Sequence, residues 1–129
     1  MVDIVAFMKN QSDFYAMNGT PEKDILLAEQ LLGLKFAKDY REYVSEFGAA
    51  SFDGHELTGV CKSKRLDVVN VTQSQRTTNT TVQSDGYVIE QANFDNITIW
   101  QDSNGTIYSS QSGARPQKIA SNLADYLGL

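Results

Sequence analysis

The 129-residue chain is 41% hydrophobic and 21% charged, the balance of an ordinary globular domain long enough to bury a core. Its net charge of −5 argues against a nucleic-acid surface, which needs a basic stripe to release counterions, and against an anionic membrane. One cysteine, Cys61, rules out an intramolecular disulfide, and one histidine, His55, rules out a multi-histidine metal site.

Residues 2–11 carry Val2, Val5, Phe7 and Met8 at roughly helical spacing and predict a short first helix. The same stretch has no basic segment ahead of its apolar residues, and no apolar run reaches the ~20 residues of a membrane helix. A cytoplasmic protein is the expectation. Phe14, Tyr15 and Met17 form an apolar patch before the Asn18-Gly19 turn. A second helix opens at Thr20-Pro21-Glu22, with Thr20 as the expected N-cap and Pro21 in the first turn. Ile25, Ala28, Leu31 and Leu32 make its expected buried face, with Leu27 beside it, and Gly33 ends it.

A third helix is predicted from Ala37 to Glu46, led in by Phe36. Tyr40, Tyr43, Val44 and Phe47 recur at i, i+3, i+4 and i+7, the spacing of a core stripe, and Gly48 closes the helix. The period then changes. Phe52-Asp53-Gly54-His55 reads as an exposed turn and Glu56 to Cys61 as a short strand, with Cys61 a small buried apolar residue on it. Leu66 to Val71 suits either a helical turn or a strand. Thr72 to Gly86 is polar and unpatterned and reads as a long surface loop or irregular element.

Three strands follow, at 87–90, 96–101 and 106–109. The last two are joined by Asp102-Ser103-Asn104-Gly105, whose Asn-Gly pair is a strong hairpin signal. A calcium loop starting at Asp102 fails, because its twelfth position is Gly113 rather than glutamate. Residues 110–116 are a connection, 118–120 a short segment, and Ser121 the expected cap of a last helix with Leu123, Ala124, Tyr126 and Leu127 inward. Six N-x-[ST] triplets, at Asn10, Asn18, Asn70, Asn79, Asn96 and Asn104, have no secretion signal to make them glycosylation acceptors. No phosphate loop, dinucleotide fingerprint, C-x-x-C or G-x-S-x-G occurs, and no catalytic residue, metal or cofactor is expected.

The run A-E-Q-L-L-G-L-K-F-A-K-D-Y-R-E-Y-V-S-E-F-G-A-A-S-F-D-G-H-E-L-T-G-V resembles the start of the SMI1/KNR4 (SUKH) superfamily. That family shows E-x-x-L-G, then L-P-x-D-Y-x-x-F-L-x-x-x-G-G, then a strand ending in glycine. Glu29, Leu32, Gly33, Asp39, Tyr40, Tyr43, Val44, Phe47, Gly48 and Gly59 occupy those places. Thr72 and Arg76, the D-S-N-G turn and the closing K-I-A-S-N-L-A-D-Y-L fit further along. Ala37 stands where the family has a helix-opening proline, and Ala49 where it has a second glycine.

The resemblance implies an α+β fold, with N-terminal helices and a C-terminal helix packed on a mostly antiparallel sheet. It also implies a bacterial immunity protein that neutralises a cognate toxin, often a nuclease, by binding; the alternative is a regulatory or scaffold module, as in the family's fungal branch. Such an immunity protein would cover a basic cleft with an acidic face. Asp53, Glu56, Asp85 and Glu90 are the candidates for that face, with Arg76 or the 72–86 stretch beside them. Arg76 equally suits a structural pairing with a buried carboxylate.

Overall fold

The computed structural model describes residues 3–78, 85–91, 97–111 and 115–128. Expectations for Val2, for 79–84 of the polar stretch, for Asn96 at the start of its strand and for 112–114 of the connection fall outside those residues. Among the described residues the chain forms α1 (Ile4–Lys9), β1 (Tyr15–Ala16), α2 (Glu22–Leu32), α3 (Lys38–Phe47), β2 (Ala50–Phe52) and β3 (His55–Glu56). It continues through α4 (Val68–Thr78), β4 (Tyr87–Gln91), β5 (Ile97–Gln101), β6 (Ile107–Gln111), β7 (Gln117–Ala120) and α5 (Leu123–Leu127). The strands build two antiparallel sheets, β1-β2-β3 and β4-β5-β6-β7. The expected α+β class with mostly antiparallel pairing is what the chain adopts. No helix among the described residues is long and apolar enough to cross a membrane.

The stripe predicted on α3 is the centre of the core. Tyr40, Tyr43 and Val44 are wholly buried and Phe47 nearly so. Phe36, Tyr40 and Tyr87 pack with centroids 4.8–5.1 Å apart, an edge-on and tilted cluster that suits the ring quadrupoles. Burying three tyrosines requires partners for three hydroxyls, because an unpaired buried hydroxyl costs about 1–3 kcal/mol. Each has one. Tyr40 meets the Thr58 hydroxyl at 2.9 Å, Tyr43 donates to the Thr58 carbonyl at 2.7 Å and accepts from the Ala50 amide, and Tyr87 donates to Gln101 Oε1 at 2.7 Å while accepting from the Ala37 amide.

Two glycines let the backbone cross itself behind this cluster. Gly48 ends α3 at φ 71°, and a side-chain carbon there would stand 2.3 Å from the Asn18 carbonyl oxygen. At Gly59 the added carbon would lie 1.6 Å from the Gly48 carbonyl oxygen, which accepts the Val60 amide at 3.1 Å. This crossing also explains why the predicted 56–61 strand stops at Glu56. Beyond it the Leu57 amide still bonds the Ala50 carbonyl of β2, but the Thr58 amide turns to the Ile89 carbonyl of β4 and Gly59 bridges Asp67.

The ambiguous stretch at 66–71 and much of the predicted polar loop are helix. α4 begins at Val68, buries Val68, Val71 and Thr72, and runs to Thr78. Thr72 Oγ1 accepts the Val88 amide at 3.0 Å, so α4 closes the open edge of β4 that sequence pattern alone leaves unpaired. Asp53 and Gly54 take φ of 50° and 80°, the two positive values of a tight hairpin turn, and His55 therefore belongs to β3 rather than to an exposed turn. The Asp102–Gly105 hairpin forms as predicted, with the Gly105 amide on the Asp102 carbonyl at 3.0 Å. The short segment before the last helix is strand β7, paired to β6.

Both predicted N-caps shift by one residue. The Thr20 hydroxyl is spent on the Val60 carbonyl at 2.8 Å, so Pro21 takes the cap position of α2 and no side chain caps it. At α5 the cap is Asn122, whose Oδ1 accepts the Asp125 amide at 2.7 Å, not Ser121. The buried stripe of α2 is Ile25, Ala28, Glu29 and Leu32, a set at i, i+3, i+4 and i+7. Leu31 and Leu27, expected inside or beside it, are 55% and 52% exposed. Glu29 takes the inward place because its carboxylate is fully engaged: Oε2 accepts the Phe36 amide at 2.8 Å and Oε1 pairs with Arg41 Nη1 at 2.8 Å. In α1 the inward residues are Ile4 and Met8, while Phe7 is exposed.

Candidate partner-binding surfaces

Of the five residues proposed from sequence, Asp53, Glu56 and Glu90 gather around the β2–β3 hairpin, while Asp85 lies before the start of β4 and Arg76 on α4. Glu90 is buried, contrary to its expected place on an exposed acidic face. The cause is a bulge in β4 between Val88 and Glu90, which sets Glu90 opposite Ile99 on the helix-facing side. There Oε1 accepts from the Tyr126 hydroxyl and meets His55 Nδ1 at 2.9 Å, while Oε2 accepts the Glu56 amide at 2.8 Å. Glu90 thus ties β3, β4 and α5 together. The bond to Glu90 holds the His55 imidazole above its ordinary pKa, against the opposing effect of partial burial.

Asp53 and Glu56 flank the β2–β3 hairpin and are exposed. The Asp53 amide donates to Asp13 Oδ1 at 2.8 Å, which brings a second carboxylate beside it. Glu56 is held by Arg65 in a two-pronged pair that lowers its carboxyl pKa and offsets its charge. Asp85 lies at the other end of β4, five residues from Glu90, a span of about 17 Å in extended chain. It adds negative potential at the Tyr108 hydroxyl, whose pKa is raised chiefly by desolvation and then by Asp102 and Asp85. Arg76 sits in the last turn of α4, where its Nη1 donates to the Leu32 carbonyl at 3.0 Å and satisfies the C-terminal end of α2. That bond gives Arg76 a structural contact at a helix end.

The resemblance-bearing residues also turn inward. Asp39 Oδ1 accepts from Gln101 Nε2 at 3.0 Å and Oδ2 accepts the Leu123 amide at 2.8 Å, so one carboxylate joins α3, β5 and the first turn of α5. Gln101 passes the network on to Tyr87 and to the Gly105 carbonyl. Cys61 is half-buried on a bend rather than buried on a strand, and burial lifts its thiol above the ordinary value, away from the reactive thiolate. Among the described residues no cluster of three or more His, Cys, Asp and Glu is placed to hold a metal ion.

What sequence reasoning missed is an open groove of about 610 Å³ beside α2. It is lined by Leu27 and Leu31 of α2, by Met17, Val60 and Lys62, and by the carboxylates Asp24 and Asp67. The available signal was the excess of leucines in D-I-L-L-A-E-Q-L-L: one helical stripe cannot bury Leu26, Leu27, Leu31 and Leu32 together.

A search of the curated proteins finds no match to this chain. The family model SUKH_5, described as SMI1-KNR4 cell-wall, matches residues 1–128, and with the inward Glu29, Asp39 and Tyr40 and the Gly48–Gly59 crossing in place, the chain belongs to the SMI1/KNR4 (SUKH) family.

Proposed function

We propose that the chain is an immunity protein that binds a cognate polymorphic toxin in the cytoplasm and blocks its active cleft, acting by binding rather than by catalysis. The observation that carries this reading is the family match across residues 1–128. The net charge of −5 suits a basic, substrate-binding cleft, since opposite charge speeds capture and selects among partners. The sole histidine is committed to Glu90, a structural use rather than a free general base. Exposed negative charge near the β2–β3 hairpin comes from Asp13 and Asp53, with Glu56 compensated by Arg65.

The test is growth. The toxin domain encoded beside this gene in its native host is expressed with and without this chain, and the expected result is that cells survive only when the chain is present. Death in both cases overturns the immunity reading. The cell-wall description of the family favours a second reading, a scaffold or regulatory module. Survival conferred by this chain counts against that alternative.

A further inference from the structure

We infer that the groove beside α2 is the docking site for a partner protein, and that its occupant is an apolar segment carrying a basic side chain. The inference deepens the proposed function and rests on reading the chain as a protein-binding module.

The first ground is apolar surface left in water. Leu27 and Leu31 are one helical turn apart on α2, 52% and 55% exposed, and Met17 in the same groove is 38% exposed. They adjoin one another around a single concavity, whereas scattered exposed leucines would be unremarkable. The spacing presents a continuous apolar strip to anything lying along the helix.

The second ground is charge. Asp24 and Asp67 line the groove against a single cation, Lys62, so an occupant with a lysine or arginine is favoured and an acidic one is not. Asp67 accepts the Val69 and Asn70 amides at the start of α4, and partial burial holds its carboxyl above the usual range despite those bonds. A cation brought by the partner would relieve that burial cost. A second copy of this chain, itself at −5 and bringing the same two carboxylates, would add to it.

The third ground is a preformed lining. Gly19 passes so close to α3 that a side-chain carbon on it would sit 2.3 Å from the Ser45 carbonyl oxygen, and the Thr20 hydroxyl donates to the Val60 carbonyl at 2.8 Å, with Gly19, Thr20 and Val60 all lining the groove. A lining fixed before binding has little freedom to lose on binding.

The probes are two synthetic amphipathic helices with leucines at i, i+3, i+4 and i+7, one with lysine and one with glutamate at the remaining positions, titrated by fluorescence anisotropy. The lysine peptide is expected to bind the wild-type chain at least about tenfold tighter than the glutamate peptide. Leu27→Gln/Leu31→Gln should weaken the lysine peptide by at least about tenfold. Asp24→Asn/Asp67→Asn, which keeps an amide-accepting side chain at the start of α4, should flatten its salt dependence. Far-UV circular dichroism of each variant controls for the fold.

Equal binding of the lysine peptide by wild type and the leucine variant overturns the inference. So does tight binding of the glutamate peptide, or a wild-type dimer in sedimentation that the leucine variant dissolves, which would give the groove to a second copy. The growth assay separates the two readings. If the leucine variant still protects as well as wild type, the groove is wrong and the immunity reading stands. If no toxin is neutralised but the peptides behave as expected, the groove stands and the immunity reading falls.

Discussion

The two faces of the region that carries the family resemblance behave in opposite ways. On its inner side Glu29, Asp39, Tyr40, Tyr43 and Gly48 have their polar atoms paired or their space filled by other parts of the chain. On its outer side, only one or two residues away, Leu27 and Leu31 are more than half exposed to solvent. The residues that identify the family are therefore those that hold the fold, and they say little about what the fold binds. Selectivity for a partner has to come from side chains that the fold does not consume.

The comparison is most severely tested at the backbone crossing. Gly59→Ala places a methyl group 1.6 Å from the Gly48 carbonyl oxygen, backbone against backbone, where no rotamer change gives relief. The expected loss exceeds about 4 kcal/mol, read by urea unfolding or as failure to accumulate folded protein. A stable Gly59→Ala variant would mean that the crossing is looser than these contacts require.

Asp39→Ala comes next. It strands the Leu123 amide and one donor of Gln101, each worth about 1–3 kcal/mol when left unpaired. Since α5 can fray and let water in, the expected total is about 2–4 kcal/mol, measured as a lower urea midpoint with an unchanged slope. Loss of α5 protection in hydrogen exchange should accompany it, because Asp39 anchors the first turn of that helix.

These two predictions rest on residues that the sequence made legible as a pattern but not as contacts. The 3.6-residue period of α3 and the Asp-Gly and Asn-Gly turns are local signals, and they appear where expected. α4 was not legible because T-Q-S-Q-R-T-T has no apolar face of its own; its helix is supported by Val68, Val71 and Thr72 docking on β4, a tertiary effect. Glu90 was misplaced for a related reason. Strand alternation sends a charged residue outward, but the bulge at Val88/Glu90 shifts the alternation, and inside the carboxylate accepts from the Tyr126 hydroxyl and the Glu56 amide and meets the His55 ring. The candidate acidic face was read from the resemblance and the net charge, and neither locates charge on the surface.

The His55–Glu90 contact joins β3 to β4 away from both faces' side chains named above, and its expected effect is smaller. The imidazole pKa is raised in the folded chain, so the contact contributes stability that is fully present below the unfolded value near 6.5 and is lost as pH rises through the folded value. Thermal unfolding should therefore show a modest decline in midpoint above about pH 6.5 that His55→Gln abolishes. A midpoint in wild type that follows the variant's across this range would show that Glu90 is satisfied by Tyr126 and the Glu56 amide alone.

The smallest expected effect on stability is at the groove. Glutamine matches leucine closely in helix propensity, so Leu27→Gln/Leu31→Gln changes little except apolar surface. Side chains already more than half in water lose little by the exchange, and the unfolding free energy should stay within about 0.5 kcal/mol of wild type. A loss of 2 kcal/mol or more, typical of about one buried leucine, would move these residues from the outer face to the core and remove the contrast altogether. An unchanged stability together with weakened capture of the lysine peptide would sharpen it: on one helix, Ile25, Ala28 and Leu32 would serve folding and Leu27 and Leu31 would serve binding, with only the helical period separating the two sets.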